Sequence, residues 1–261
     1  MQGYTRRDVV RDGVTLATYR RPGAVPFVFQ HGLCGDAAQP AEVMPEGAAH
    51  FVMECRGHGQ SEAGPMDRLS IRTFADDLAA VMEGPAIVGG ISMGAAIALD
   101  LAARRPDLVR ALVIARPAWL DADGPPNMEP NAAVGQALLN GGTAEAFQAS
   151  GIGRTLAAQA PDNLASLLGF FDREPRDVTA ALLTRISADG PRFDPAALTM
   201  PVLVIGHEAD LIHPMSHARD LAAMITTARL AEIPPKVAGK PAYIAAFRAA
   251  LSDFIKDLAD A

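Results

Sequence analysis

The chain has 261 residues, 49% of them hydrophobic and 20% charged, with a net charge of −7; this is long enough for one α/β domain whose core needs no disulfide or metal staple. The acidic balance, with Lys and Arg never in a run longer than two, argues against a nucleic-acid partner, which requires clustered cations. No stretch reaches the ~18 apolar residues of a membrane helix and the first residues lack the apolar core of a signal peptide, so no membrane partner and a cytoplasmic location are expected.

The segment "RRDVVRDGVTLATYRR" reads as two short alternating strands around Asp12-Gly13, a pair whose tolerance of positive φ suits a two-residue hairpin. Five apolar runs without alternation follow, "PFVFQ", "HFVME", "AIVGG", "ALVIA" and "PVLVIG", as expected of strands covered on both faces by helices. Amphipathic stretches at 74–82, 94–105, 215–225 and 243–258 lie between or after them. This alternation predicts an α/β fold with a doubly wound, mostly parallel sheet and antiparallel N-terminal strands. From 119 to 198 the rhythm breaks. The segment is rich in Pro, Gly and Ala, carries the helical patterns "NAAVGQALL", "DNLASLLGFF" and "DVTAALLTRI", and offers no strand. It reads as a helical cap (119–198) inserted into a core formed by 1–118 and 199–261. The two cysteines, Cys34 and Cys55, are too few for a disulfide framework or a zinc site and read as packing or pocket lining.

Ligands of open α/β sheets bind beyond the carboxyl ends of the strands, so the residues after each apolar run are the ones to inspect. They are His31-Gly32-Leu33-Cys34-Gly35, Cys55-Arg56-Gly57-His58-Gly59-Gln60-Ser61, Ile91-Ser92-Met93-Gly94, Arg116-Pro117-Ala118-Trp119, and His207-Glu208-Ala209-Asp210-Leu211-Ile212-His213-Pro214. Gly90 to Gly94 fits G-x-S-x-G, in which the glycines let a strand turn sharply into a helix while the serine stays exposed. The helix start offers free N–H groups to an anion forming beside that serine. The bland alternative is a small residue in a tight turn.

Taken together, these motifs resemble those of the α/β-hydrolase fold family, over nearly the whole chain: a His-Gly turn after the third strand, Arg-Gly-His-Gly-x-Ser after the fourth, the elbow after the fifth, an inserted cap and Gly-x-x-x-Asp near the seventh. The resemblance implies Ser92 as nucleophile, the N–H groups of Leu33 and Met93 as oxyanion hole, Asp210 as the carboxylate that orients a histidine, and loop-bracing roles for His31 and His58.

It also implies a catalytic histidine after the eighth strand, "ARLAEIP", yet residues 218 to 261 contain none. Three repairs are open. His213, three residues past Asp210, has an imidazole whose ordinary pKa near 6.5 suits a base at neutral pH, and a rate rising near pH 6 to 7 would follow; otherwise it caps a helix. Lys236 or Lys240, in the loop after that strand, would serve only with a pKa lowered towards 7–8. Otherwise nothing replaces the base, and the fold binds a small molecule without turning it over. His207, Glu208, Asp210, His213 and His217 are also metal-ligand types, but their spacing matches no familiar site, and neither metal nor cofactor is expected. The expected activity is hydrolysis of a small carboxylic ester, lactone or related acyl bond through Ser92, Asp210 and His213, with Cys34, Arg56, Arg116 and Trp119 as substrate contacts. A degenerate small-molecule binder and a carbon–carbon bond hydrolase are the alternatives. Cap side chains would set the substrate, and the protein is expected to be a monomer or homodimer.

Overall fold

Asp12 and Gly13 both take positive φ, 50° and 75°, and their turn joins β1 (Thr5–Arg11) to β2 (Val14–Arg21) as an antiparallel pair. The computed structural model describes residues 1–260. The runs without alternation form β3 (Pro26–Gln30), β4 (Ala49–Met53), β5 (Ala86–Ile91), β6 (Val109–Ala115) and β7 (Val202–Gly206), and β8 (Ala228–Glu232) closes the sheet. The eight strands lie in the order β1-β2-β4-β3-β5-β6-β7-β8. Pairing is antiparallel up to β4 and parallel beyond it.

Helices α1 (Ala38–Val43), α2 (Ile71–Val81) and α3 (Met93–Arg104) follow β3, β4 and β5. Between β6 and β7 come α4 (Glu129–Leu139), α5 (Ala144–Gln148), α6 (Gly151–Gln159), α7 (Pro161–Gly169) and α8 (Arg176–Ser187). The chain continues with α9 (Met215–Met224) after β7 and α10 (Lys240–Asp260) after β8. Successive residues of a strand point to opposite faces, which is why nearly every position of β5 to β7 is apolar. On one face Val88, Leu112 and Val204 pack with Phe74 and Leu78 of α2, Ile97 and Leu101 of α3 and Leu221 of α9. On the other, Phe29, Val113 and Ile205 pack with Val43 of α1 and Phe247, Leu251 and Phe254 of α10. Phe29 and Phe247 meet edge to face at 6.2 Å, and burial of each such ring stabilises the fold by roughly 1.5–3 kcal/mol.

Three helices escape the sequence pattern: α1 and α5, of 6 and 5 residues, are too short for a 3.6-residue period to be counted, and α6 buries only Gly153 and Leu156, too few apolar positions to mark a face. Among the described residues no helix is long and apolar enough to cross a membrane.

Candidate active site

At the end of β5 the chain turns into α3 at Ser92, which adopts φ 57° and ψ −113°. A non-glycine residue rarely takes this conformation. The glycines on either side make it possible by close approach. A Cβ on Gly90 would stand 2.5 Å from the Gly94 carbonyl carbon, and one on Gly94 would stand 2.5 Å from the Gln30 carbonyl oxygen. The Ser92 N–H donates to Ala115 O of the neighbouring strand at 2.9 Å, anchoring the turn. Positive φ also occurs at Cys34, Arg116 and Ala209, so the segments that follow β3, β5, β6 and β7 each carry a strained residue at the same end of the sheet.

After β7, Asp210 closes its own loop: Oδ1 accepts the N–H groups of Ile212 at 3.2 Å and His213 at 2.9 Å. The same carboxylate lies 2.9 and 3.0 Å from His213 Nδ1. On the far side of the ring, His213 Nε2 is 2.8 Å from Ser92 Oγ. With Nδ1–H donating to Asp210, the Nε2 lone pair accepts the serine proton. Side chains from the segment between β6 and β7 hold this loop in place. Asn163 Oδ1 accepts the N–H groups of Leu211 (2.8 Å) and Ile212 (3.3 Å), and Asn127 Nδ2 donates to Ile212 O at 2.7 Å.

Arg116, just past β6, donates to Asp210 Oδ2 through Nη2 (2.6 Å) and Nε (3.1 Å), and its Nη2 lies 3.1 Å from His213 Nδ1. Burial works to raise the Asp210 pKa, but His213 and Arg116 override it and hold the carboxyl well below its usual range. Burial pushes the His213 imidazole down to about 4; Asp210 pulls it up and Arg116 pushes it further down. The imidazole is therefore neutral well below pH 6.

A cavity of about 290 Å³ opens beside Ser92, with Leu33, Cys34, Gln39, Arg116, His213 and Lys236 in its core wall and Asn131, Asn163, Ser166, Leu167 and Phe170 supplied by the segment between β6 and β7. A larger cleft of about 390 Å³ lies at the opposite ends of the strands, around Arg20, Phe51 and Pro85, away from the serine. Neighbouring N–H groups next to Leu33 are engaged: Gly32 N–H donates to Gln39 Oε1 at 2.6 Å and Cys34 N–H to His58 Nε2 at 3.0 Å. The N–H groups of Leu33 and Met93 have no acceptor among the described residues.

His31 and His58 are loop braces. His31 Nε2 accepts Cys55 N–H at 3.1 Å, and their Nδ1 atoms face the carbonyls of Gly32 and Arg56 at 2.9 and 3.0 Å. Two expected substrate contacts are corrected. Arg56 is buried in a bidentate pair with Asp77 of α2, at 2.6 and 2.9 Å, and Trp119 is fully buried in the core; neither lines the cavity. Arg116 does line it, but its guanidinium is committed to Asp210. Cys34 lines it too, with burial pushing its thiol up to about 12, so it carries no thiolate at neutral pH. Lys240 is exposed and paired with Glu42 at 2.7 Å. His217 is half-buried with its Nδ1 enclosed.

Sequence reasoning missed Gln39, Asn131 and Asn163. Nothing in an Ala-rich insertion distinguishes two asparagines that face a cavity from those in turns.

Strand order, elbow and helical segment between β6 and β7 together define an α/β-hydrolase architecture. The chain belongs to the alpha/beta hydrolase fold family, whose sequence model matches residues 25–235. It is 32% identical over 243 residues to a pimeloyl-[acyl-carrier protein] methyl ester esterase of Chromobacterium violaceum, covering 88% of this chain and 89% of that protein. It is 28% identical over 229 residues to a putative carbamate hydrolase, RutD, of Klebsiella pneumoniae, covering 82% of this chain and 84% of that one. Among solved structures, a thermophilic esterase from Thermogutta terrifontis, with malate bound, superposes with a TM-score of 0.74 at 22% identity, over 97% of this chain and 99% of that one.

Proposed function

We propose that the protein is a serine hydrolase of small carboxylic esters or lactones, with Ser92 as nucleophile, His213 as general base and Asp210 as the carboxylate that orients it. Ser92 Oγ attacks the substrate carbonyl carbon as its proton passes to His213 Nε2. The oxygen that becomes negative is held by the N–H groups of Met93, at the positive end of α3, and Leu33. The protonated imidazole gives its proton to the departing alkoxide, leaving an acyl-serine. Water, deprotonated by the same nitrogen, then releases the acid and restores Ser92. Residues 119–198 act as the cap over this site.

The observation that carries the reading is the 2.8 Å contact between Ser92 Oγ and His213 Nε2, at a serine held in a strained turn. It supports His213 as the base in place of the histidine missing after β8, and so favours turnover over ligand binding alone. Names of the relatives, an esterase and a putative carbamate hydrolase, support the same class of chemistry. The test is stoichiometric labelling by a fluorophosphonate, mapped by mass spectrometry, together with turnover of a neutral p-nitrophenyl ester. Label on Ser92, absent from Ser92→Ala, and a loss of at least ~10³-fold in kcat for His213→Ala are expected. An unlabelled wild-type protein, or a His213→Ala variant with wild-type turnover, would overturn the assignment.

A further inference from the structure

The loop after β8 holds Lys236 instead of the histidine the resemblance implies there. Its side chain is half-buried, with Nζ 5.3 Å from the centre of the Tyr243 ring. It lines the cavity beside Ser92. It makes no hydrogen bond to Ser92, whose hydroxyl meets His213, and no carboxylate lies within 4.0 Å of Nζ among the described residues. A part-desolvated ammonium without a counter-ion is costly unless something negative arrives.

The rest of the wall fits that demand. Its side chains include two cations, Arg116 and Lys236, and no Asp or Glu. Asp210 pairs with Arg116, and although Asp162 and Glu42 line a neighbouring cavity that Lys236 also borders, neither forms an ion pair with it, which leaves Lys236 without a direct counter-ion among the described residues. Asn131, in the same wall, is buried with an Oδ1 acceptor that has no hydrogen-bond partner and suits a donor hydrogen of a ligand, and Asn163 uses its Oδ1 on the loop backbone, so that its amide N–H groups are the part left for a ligand.

We propose that the substrate is an ester or lactone whose acyl part carries a second, anionic group, a carboxylate, which pairs with the Lys236 ammonium while Asn131 and Asn163 bond the polar atoms beside it. This rests on the reading of Ser92 as nucleophile and adds the class of acyl group. Lys236 is thereby a specificity residue and not a base. Burial, followed by the charge of Arg116, pushes its pKa down to about 8; Asp210 and Asp162 act in the opposite direction, Lys240 acts with Arg116, and Tyr243 covers one side. Preference for an anionic acyl group should therefore fade as pH rises through about 8.

The experiment compares p-nitrophenyl hemisuccinate, hemiglutarate and hemiadipate with the neutral butyrate, valerate and hexanoate, at pH 7 and at pH 9. The wild type is expected to favour the best hemiester over its neutral counterpart by about tenfold or more in kcat/KM. That ratio should collapse in Lys236→Met, hold in Lys236→Arg at both pH values, and shrink at pH 9 only in the wild type. A ratio that stays the same in Lys236→Met, or a wild type that prefers the neutral esters, overturns the proposal while Ser92 labelling keeps the hydrolase reading intact. If no ester is cleaved and Ser92 takes no label, the hydrolase reading fails. Calorimetric titration with glutarate monoamide then decides the anion site alone: binding lost in Lys236→Met supports it, and no binding to the wild type overturns it.

Discussion

Arg116 offers a sensitive test of the relay, because its effect has a sign that packing alone would not produce. Its Nη2 stands 3.1 Å from His213 Nδ1 and 2.6 Å from Asp210 Oδ2. Unit charges at a separation on the order of 4 Å interact by about 4 kcal/mol at an effective dielectric constant of ~20, equivalent to about three pH units. Water entering a truncated site screens part of this, which leaves a shift of about one to two units in Arg116→Gln. The base must be neutral to work, and a neighbouring cation disfavours its protonated form. Removing that cation raises the imidazole pKa from about 4, so the acid limb of kcat/KM moves up and activity near pH 5 falls. The assay is kcat/KM for a neutral ester from pH 4 to 9. Breaking a buried ion pair costs about 3–5 kcal/mol, so each variant is first checked for folding by near-ultraviolet circular dichroism. Arg116→Lys, which keeps the charge, should hold the limb near its wild-type position. A folded Arg116→Gln protein whose acid limb stays in place or moves lower would refute the electrostatic argument.

Two further outcomes concern the scaffold. Gly94→Ala places a methyl group about 2.5 Å from the Gln30 carbonyl oxygen, and backbone cannot yield as a side chain can; a loss of at least ~2 kcal/mol in chemical denaturation is expected, and wild-type stability would mean that the elbow is looser than described. Asp77→Ala leaves the buried Arg56 guanidinium without its bidentate partner; a loss of about 3–5 kcal/mol is expected with KM unchanged, whereas a selective rise in KM would return Arg56 to the substrate site.

Much of the fold is legible in the chain because its signals are local. The Asp12-Gly13 pair, the unalternating strands and the glycines around Ser92 constrain the backbone within a few residues, and the structure follows them almost to the residue in β3 and β5. Alternating strand and helix then restricts the topology, since crossovers between parallel strands pack back onto the sheet with one hand. The segment between β6 and β7 is less legible. Its helices are short and Ala-rich, and periodicity cannot tell a face turned to the sheet from one turned to a neighbouring helix.

By itself, the sequence determined that a serine sits at a strand-to-helix elbow, that Asp210 and His213 lie three apart after the seventh strand, and that no histidine follows the eighth. Only the tertiary structure decided which side chains meet. Arg56 and Arg116 both follow a strand and look equivalent as text, yet one is locked to Asp77 beneath the surface and the other faces the imidazole. Lys236 lies in the loop after β8 and Lys240, four residues on, opens α10; one lines the cavity beside Ser92 while the other is exposed and pairs with Glu42. The reason is physical: chain neighbours set backbone conformation, but the environment of a charge is set by groups brought up from distant strands, and burial and counter-charges at those distances decide what each ionisable side chain can do.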